Sequence, residues 1–198
     1  MKRSFLRWSS ALCLCLASAM VLTPSWGQAA NPRVRMVTNL GDIEIELQAD
    51  KAPKTVANFL QYVKDKHYND TIFHRVIPNF MVQGGGFDAK FKQKPTRAPI
   101  QHEGRAATAA GLKNQIGTVA MARTGDPHSA TSQFFINVVN NAFLDPSDQS
   151  YGYTVFGTVT SGMDVVQKIR NTPTGAGGPL PSDVPQTPIV IQSITLIP

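Results

Sequence analysis

Arg75 stands in a run of large apolar side chains, Phe-His-Arg-Val-Ile-Pro-Asn-Phe-Met-Val-Gln-Gly-Gly-Gly over residues 73–86, which ends at Gln83 beside a glycine turn. An arginine keeps its proton near neutral pH, so in this setting it is a fixed hydrogen-bond donor and cannot be a general base. Chemistry at such a residue is electrostatic: a donor aimed at a site where a lone pair or charge develops. His74 beside it is the obvious acid or base, yet its place among apolar neighbours suits a packing role better.

Other constellations that carry chemistry fail on spacing. Asp126, His128 and Ser129 supply the residue types of a hydrolase triad within a few positions, but triad partners converge from separate elements, and no Gly-x-Ser-x-Gly elbow is present. His67, His74, His102 and His128 show no paired metal-ligand spacing, so no metal site is expected. Gly84, Gly85 and Gly86 are not followed by Lys-Ser/Thr and open no helix, which excludes a phosphate loop.

The elements that must position Arg75 are mostly strands. Over residues 34–48, Ile43, Ile45 and Leu47 alternate with Asp42, Glu44, Glu46 and Gln48, the pattern of a half-buried antiparallel strand, and Gly41 supplies the turn from the strand before it. Val56, Phe59, Leu60 and Val63 recur at i, i+3, i+4 and i+7, so a helix runs from Pro53 to near Lys66. Strand patterns follow at residues 72–76, 117–122, 133–139, 153–159 and 189–197. A second helix over residues 163–170 has Asp164 in its first turn and Lys168 and Arg170 in its last, matching the helix dipole. Residues 87–112 have no sustained period and read as a long surface loop, and the Gly/Pro-rich stretch 174–188 reads as a connection. Many short strands with two separated helices argue for an antiparallel sheet closed on itself and capped by the helices.

The first residues are of another kind. Lys2, Arg3 and Arg7 precede an apolar stretch over residues 11–22 and small residues at Gly27, Ala29 and Ala30, the pattern of a cleaved secretory leader covering residues 1–29. The apolar stretch is well short of the roughly 20 residues that span a bilayer, so no membrane insertion is expected of the mature form. Cys13, Cys15, Trp8 and Trp26 all lie in that leader, leaving residues 30–198 as one domain with no cysteine and hence no disulfide. Its stability must come from a core. The net charge of +6 falls to +3 once the three leader cations are removed, too mild to argue for a nucleic-acid partner.

Residues 73–86, together with Ser-Gln-Phe-Phe-Ile-Asn-Val over residues 132–138, resemble the cyclophilin family of peptidyl-prolyl cis-trans isomerases, and the two motifs lie at the separation that family shows. The resemblance covers the chain from about Val34 onward. It implies an eight-stranded closed barrel with a helix over each opening and a substrate groove on its outer surface. Arg75 is then the catalytic donor, and Phe80, Met81, Phe135 and Leu144 grip the substrate's proline ring. Gln83 and Gln133 hold the peptide backbone, and Ala122 and Arg123 line the edge. Since Phe134 and Phe135 face opposite sides of a strand, one belongs to the core, and the family pattern gives the groove to Phe135.

Three positions depart from the best-known eukaryotic members: Phe143 replaces a tryptophan, Tyr153 a histidine and Arg123 an asparagine. The tryptophan belongs to the site that binds cyclosporin, so weak cyclosporin binding is expected. With the leader, these departures look like the periplasmic cyclophilins of Gram-negative bacteria. The expected partners are proline-containing unfolded or flexible polypeptides of the periplasm. No cofactor is required, and a monomer is the default. The rival reading is a proline-peptide-binding holdase chaperone with little turnover, or a chaperone acting through the loop at residues 87–112.

Overall fold

The computed structural model describes residues 30–198; the leader expected over residues 1–29 lies outside the described residues. Eight antiparallel strands close into a barrel: β1 (Arg33–Thr38), β2 (Gly41–Leu47), β3 (Thr71–Ile77), β4 (Met81–Asp88), β5 (Thr118–Met121), β6 (Phe134–Asn137), β7 (Val155–Ser161) and β10 (Val190–Ile197). Their order around the barrel is β1-β10-β3-β4-β6-β5-β7-β2. Helix α1 (Pro53–Lys64) follows β2 directly, while α3 (Met163–Arg170) sets Val165 against Gly41 at the other end of β2, so the two helices occupy opposite ends of the barrel.

Alternation builds the interior. Val34, Met36, Ile43, Ile45 and Leu47 are wholly buried, whereas Glu44 on the other face accepts hydrogen bonds from Arg33 and Arg35 at 2.8 and 3.0 Å. Phe59 carries α1 into the core, with its ring centroid 5.0 Å from Tyr68, 5.1 Å from Phe156 and 5.8 Å from Phe134. Such ring pairs add to the area they bury. Val165, Val166 and Ile169 do the same for α3.

Three local expectations are corrected. The stretch 87–112 is not loop throughout: a short helix α2 (Gly104–Ala109) forms within it, making three α-helices in all among the described residues. A six-residue helix of Gly, Arg, Ala and Thr is too short and too poor in large apolar residues to show a period. The stretch 174–188 contains a hairpin of its own, β8 (Thr174–Gly177) with β9 (Leu180–Pro185), packed on β3. Gly84, Gly85 and Gly86 lie inside β4 and form no turn. A side chain at Gly85 would place its Cβ 2.9 Å from the rings of both Phe134 and Tyr68, and its φ is +84°, so glycine serves both close approach and a left-handed backbone here.

The β3–β4 pairing carries the irregularity that matters for function. Phe73 pairs with Gly84 and Arg75 with Gln83, so two steps along β3 match one along β4 and His74 is the extra residue of a bulge. Bulges re-aim side chains. This one leaves both His74 and Arg75 lining the same outer cavity.

Candidate active site

Arg75, partly buried, lines a cavity of about 420 Å³ on the outside of the barrel, over β3, β4, β6 and the segments that follow β5 and precede β7. Nine of the ten expected binding residues line it too: Phe80, Met81, Gln83, Ala122, Arg123, Gln133, Phe135, Leu144 and Tyr153. Met81, Phe135 and Leu144 are buried or nearly so, giving the cavity an apolar floor. Phe135 meets Tyr153 edge-on at 5.6 Å, while Phe134 turns inward to the Phe59 cluster, as strand alternation requires. The tenth residue, Phe143, does not line the cavity. It is 72% exposed on a single 3-10 turn (Ala142–Leu144) and stacks on Phe80 at 5.6 Å, forming the rim.

The polar groups differ in how far they are committed. Gln83 Nε2 donates to Gln133 Oε1 at 3.0 Å, which orients both amides. Arg123 donates through Nε to the Gly152 carbonyl at 2.9 Å and through a terminal nitrogen to the Thr124 carbonyl at 2.8 Å, and its guanidinium lies 4.7 Å over the Tyr153 ring. Arg123 is thus anchored and stiffens the edge. The Arg75 guanidinium, by contrast, makes no hydrogen bond or ion pair with any described side chain, and no carboxylate lines the cavity. Its donors face the cavity unspent.

His74 is held as the neutral imidazole near neutral pH and is a weak base. Burial, reinforced by the adjacent Arg75 cation, pushes its pKa down to about 4, and its ring packs on Phe87 at 4.8 Å. Asp126, His128 and Ser129 form no triad: Asp126 Oδ1 accepts the His128 N–H at 2.8 Å, and the Ser129 hydroxyl donates to the Asp126 carbonyl at 2.6 Å, both bonds local to one turn. Among the described residues, no three His, Cys, Asp or Glu side chains gather as a metal site would require.

Sequence reasoning missed the support beneath the floor. Asn141 Nδ2 donates to the Phe80 carbonyl at 2.9 Å and to Asn137 Oδ1 at 2.7 Å, and Asn137 Nδ2 donates to Asn114 Oδ1 and Thr118 Oγ1 at 3.2 and 2.9 Å. Asn114 in turn donates its backbone N–H and its side-chain amide to Asp145 Oδ1 at 2.7 and 2.9 Å. This buried network ties the Phe80 backbone to the segment bearing Leu144, and buried polar groups so satisfied rigidify what they join. Only Asn137, two residues after Phe135 on one strand, offered any signal. His74, Phe87 and Leu180 also line the cavity unforeseen.

A closed antiparallel barrel carries an outer groove with an apolar floor and one uncommitted arginine, and no proton relay is assembled there among the described residues. Residues 33–196 match the family described as cyclophilin type peptidyl-prolyl cis-trans isomerase/CLD. The chain is 56% identical over 167 residues to the peptidyl-prolyl cis-trans isomerase of Acinetobacter baylyi, covering 84% of this chain and 86% of that protein. It is 54% identical over 162 residues to peptidyl-prolyl cis-trans isomerase B of Escherichia coli, covering 80% and 96%. A crystal structure of a Cryptosporidium parvum cyclophilin type peptidyl-prolyl cis-trans isomerase superposes with a TM-score of 0.68 at 27% identity, covering 85% of this chain and 98% of the other. The same protein in the presence of the dipeptide Ala-Pro gives a TM-score of 0.67. The chain belongs to the cyclophilin-type peptidyl-prolyl cis-trans isomerase family, and it is an isomerase of that class.

Proposed function

We propose that Arg75 accelerates rotation about the peptide bond before proline by donating to the prolyl nitrogen, in polypeptides that fold after secretion. The planar bond resists rotation by about 18–20 kcal/mol because the nitrogen lone pair is delocalised. As the bond twists, the nitrogen regains its lone pair and becomes an acceptor, so a donor fixed there binds the twisted state better than the planar one. A single such donor is worth about 2.7–4 kcal/mol, or about a hundred- to a thousandfold in rate. The remainder comes from holding the proline ring on Phe80, Met81, Phe135 and Leu144 while Gln83 and Gln133 bind the backbone. No covalent intermediate or cofactor enters.

The observation that carries this reading is the unspent Arg75 guanidinium above an apolar floor. A holdase that only grips proline segments gains nothing from a donor at the nitrogen. The Ala-Pro dipeptide used with the Cryptosporidium structure suits a groove of this kind. The secretory pattern of residues 1–29 supports a periplasmic site of action, where uncatalysed X-Pro isomerisation, taking tens to hundreds of seconds, slows folding. The test is protease-coupled isomerisation of an Ala-Pro-Phe reporter peptide by the wild-type domain and a folded Arg75→Ala variant. Retention of full turnover by the variant sinks the assigned role. Fractionation of cells producing the full chain tests the compartment, and a protein found wholly in the cytoplasm would overturn it.

A further inference from the structure

The groove is chemically two-ended. At one end Gln83, Ala122, Arg123 and Gln133 also border a second cavity of about 350 Å³ whose other walls include Gln93, Thr96, Thr124, Ser129 and Thr131. None of His74, Phe87 or Leu180 touches that polar cavity, yet all three line the main groove. His74 and Phe87, in ring contact, and Leu180 thus form a flank of the groove that the polar cavity does not share. That flank is apolar: Phe87 packs on a neutral His74, and Leu180 is partly exposed beside them.

Leu180 comes from the β8–β9 hairpin, outside the barrel ladder. The hairpin is nonetheless held firmly. Val184 is 4% exposed, β9 packs on β3, and the glycine tip lies directly on Phe91. Any side chain at Gly178, whose φ of +51° is left-handed, would run into the Phe91 ring. Leu180, the first residue of β9, therefore lines the groove from a hairpin that packs on β3, the strand that carries Arg75.

We propose that Leu180 sets substrate preference by selecting an apolar side chain next to the proline on this flank. The proposal deepens the isomerase reading and rests on the groove assigned to it. An apolar neighbour buries area against Leu180 and Phe87 with no polar group to desolvate. A charged one loses hydration, and of the two arginines that line the groove among the described residues, Arg123 borders the polar cavity and Arg75 is assigned to the prolyl nitrogen. Because the contact is half open, the discrimination is smaller than a closed apolar pocket gives, about three- to tenfold in kcat/KM.

The test uses exchange NMR, which needs no coupling protease, on peptides carrying Leu, Ser, Glu or Lys first before and then after the proline. Wild type should favour Leu over Ser and Glu at one of the two positions. Leu180→Ser should bring that ratio near one, Leu180→Lys should turn it towards Glu, and Leu180→Ile should keep it. Unchanged ratios in folded Ser and Lys variants, or no wild-type preference at either position, overturn the inference and leave the isomerase reading intact. A wild type inert on every peptide overturns that reading and this inference with it.

Discussion

The Glu103 carboxylate caps helix α1 through Thr55, a residue 48 positions away in sequence: Oε2 accepts the Thr55 N–H at 2.8 Å and the Thr55 hydroxyl at 2.7 Å, while Oε1 accepts the Lys54 N–H at 3.1 Å. The residue at the usual capping position is Ala52, which makes no side-chain bond. The helix thus receives from the start of α2 the anion and acceptor its own sequence lacks. Glu103→Ala should cost about 0.5–2 kcal/mol of stability, and Glu103→Gln less, read as a lower urea midpoint at unchanged slope.

Arg75 is expected to act by directed donation and not by charge alone. Arg75→Ala should lower kcat/KM about a hundred- to a thousandfold with an unaltered melting temperature. Arg75→Lys keeps the charge but loses the planar fork, and should stay at least about tenfold below wild type. Full recovery in the lysine variant would show that charge suffices.

Gly86 faces Gln133 so closely that a methyl group there would lie 2.5 Å from its Cγ and 2.7 Å from its Nε2. Gly86→Ala should push the Gln133 amide aside and break its bond to Gln83. The expected effect is a KM raised about two- to tenfold with little change in kcat, the loss of one backbone-holding bond. Gln133→Ala should match it in the same assay.

Stability should fall on acidification because of His74. Its folded pKa of about 4 lies below the ordinary 6.5, so between those values the unfolded chain binds a proton that the native protein excludes. The neutral ring's contribution is complete above pH 6.5 and is lost as pH falls to 4, by up to about 3 kcal/mol. Burial also lowers the pKa of His67 and His102, which adds to the trend. Urea unfolding at pH 7 and pH 4.5 should show a smaller difference for His74→Asn than for wild type.

Phe143 offers a stacked ring at the groove rim but no N–H to donate. Cyclosporin should therefore bind weakly, and Phe143→Trp should tighten it by about tenfold, as one hydrogen bond would. A calorimetric titration showing tight binding to the unmodified protein would contradict this.

Seven of the eight barrel strands, α1 and α3 were legible in the sequence because each rests on a local period, and the Arg75 cavity was legible through the family resemblance; β4 was not, since its three glycines read as a turn. Ile43, Ile45 and Leu47 alternate and Val56, Phe59, Leu60 and Val63 recur on one helical face; all are buried except Leu60, which is partly buried at the edge of that stripe. What the sequence could not show are relations between distant segments. Glu103 finds Thr55, the asparagine network joins the Phe80 carbonyl to the segment bearing Leu144, and Leu180 reaches the groove from a hairpin hidden in a Gly/Pro-rich stretch. Gly84, Gly85 and Gly86 looked like a turn because glycine signals freedom of φ equally with lack of a side chain. At Gly85 both apply, a φ of +84° within the strand and the close rings of Phe134 and Tyr68, and those ring contacts depend on how the barrel closes. Side-chain type and spacing determined what chemistry this chain can perform; closure of the sheet decided which donors remain unspent and which walls the substrate meets.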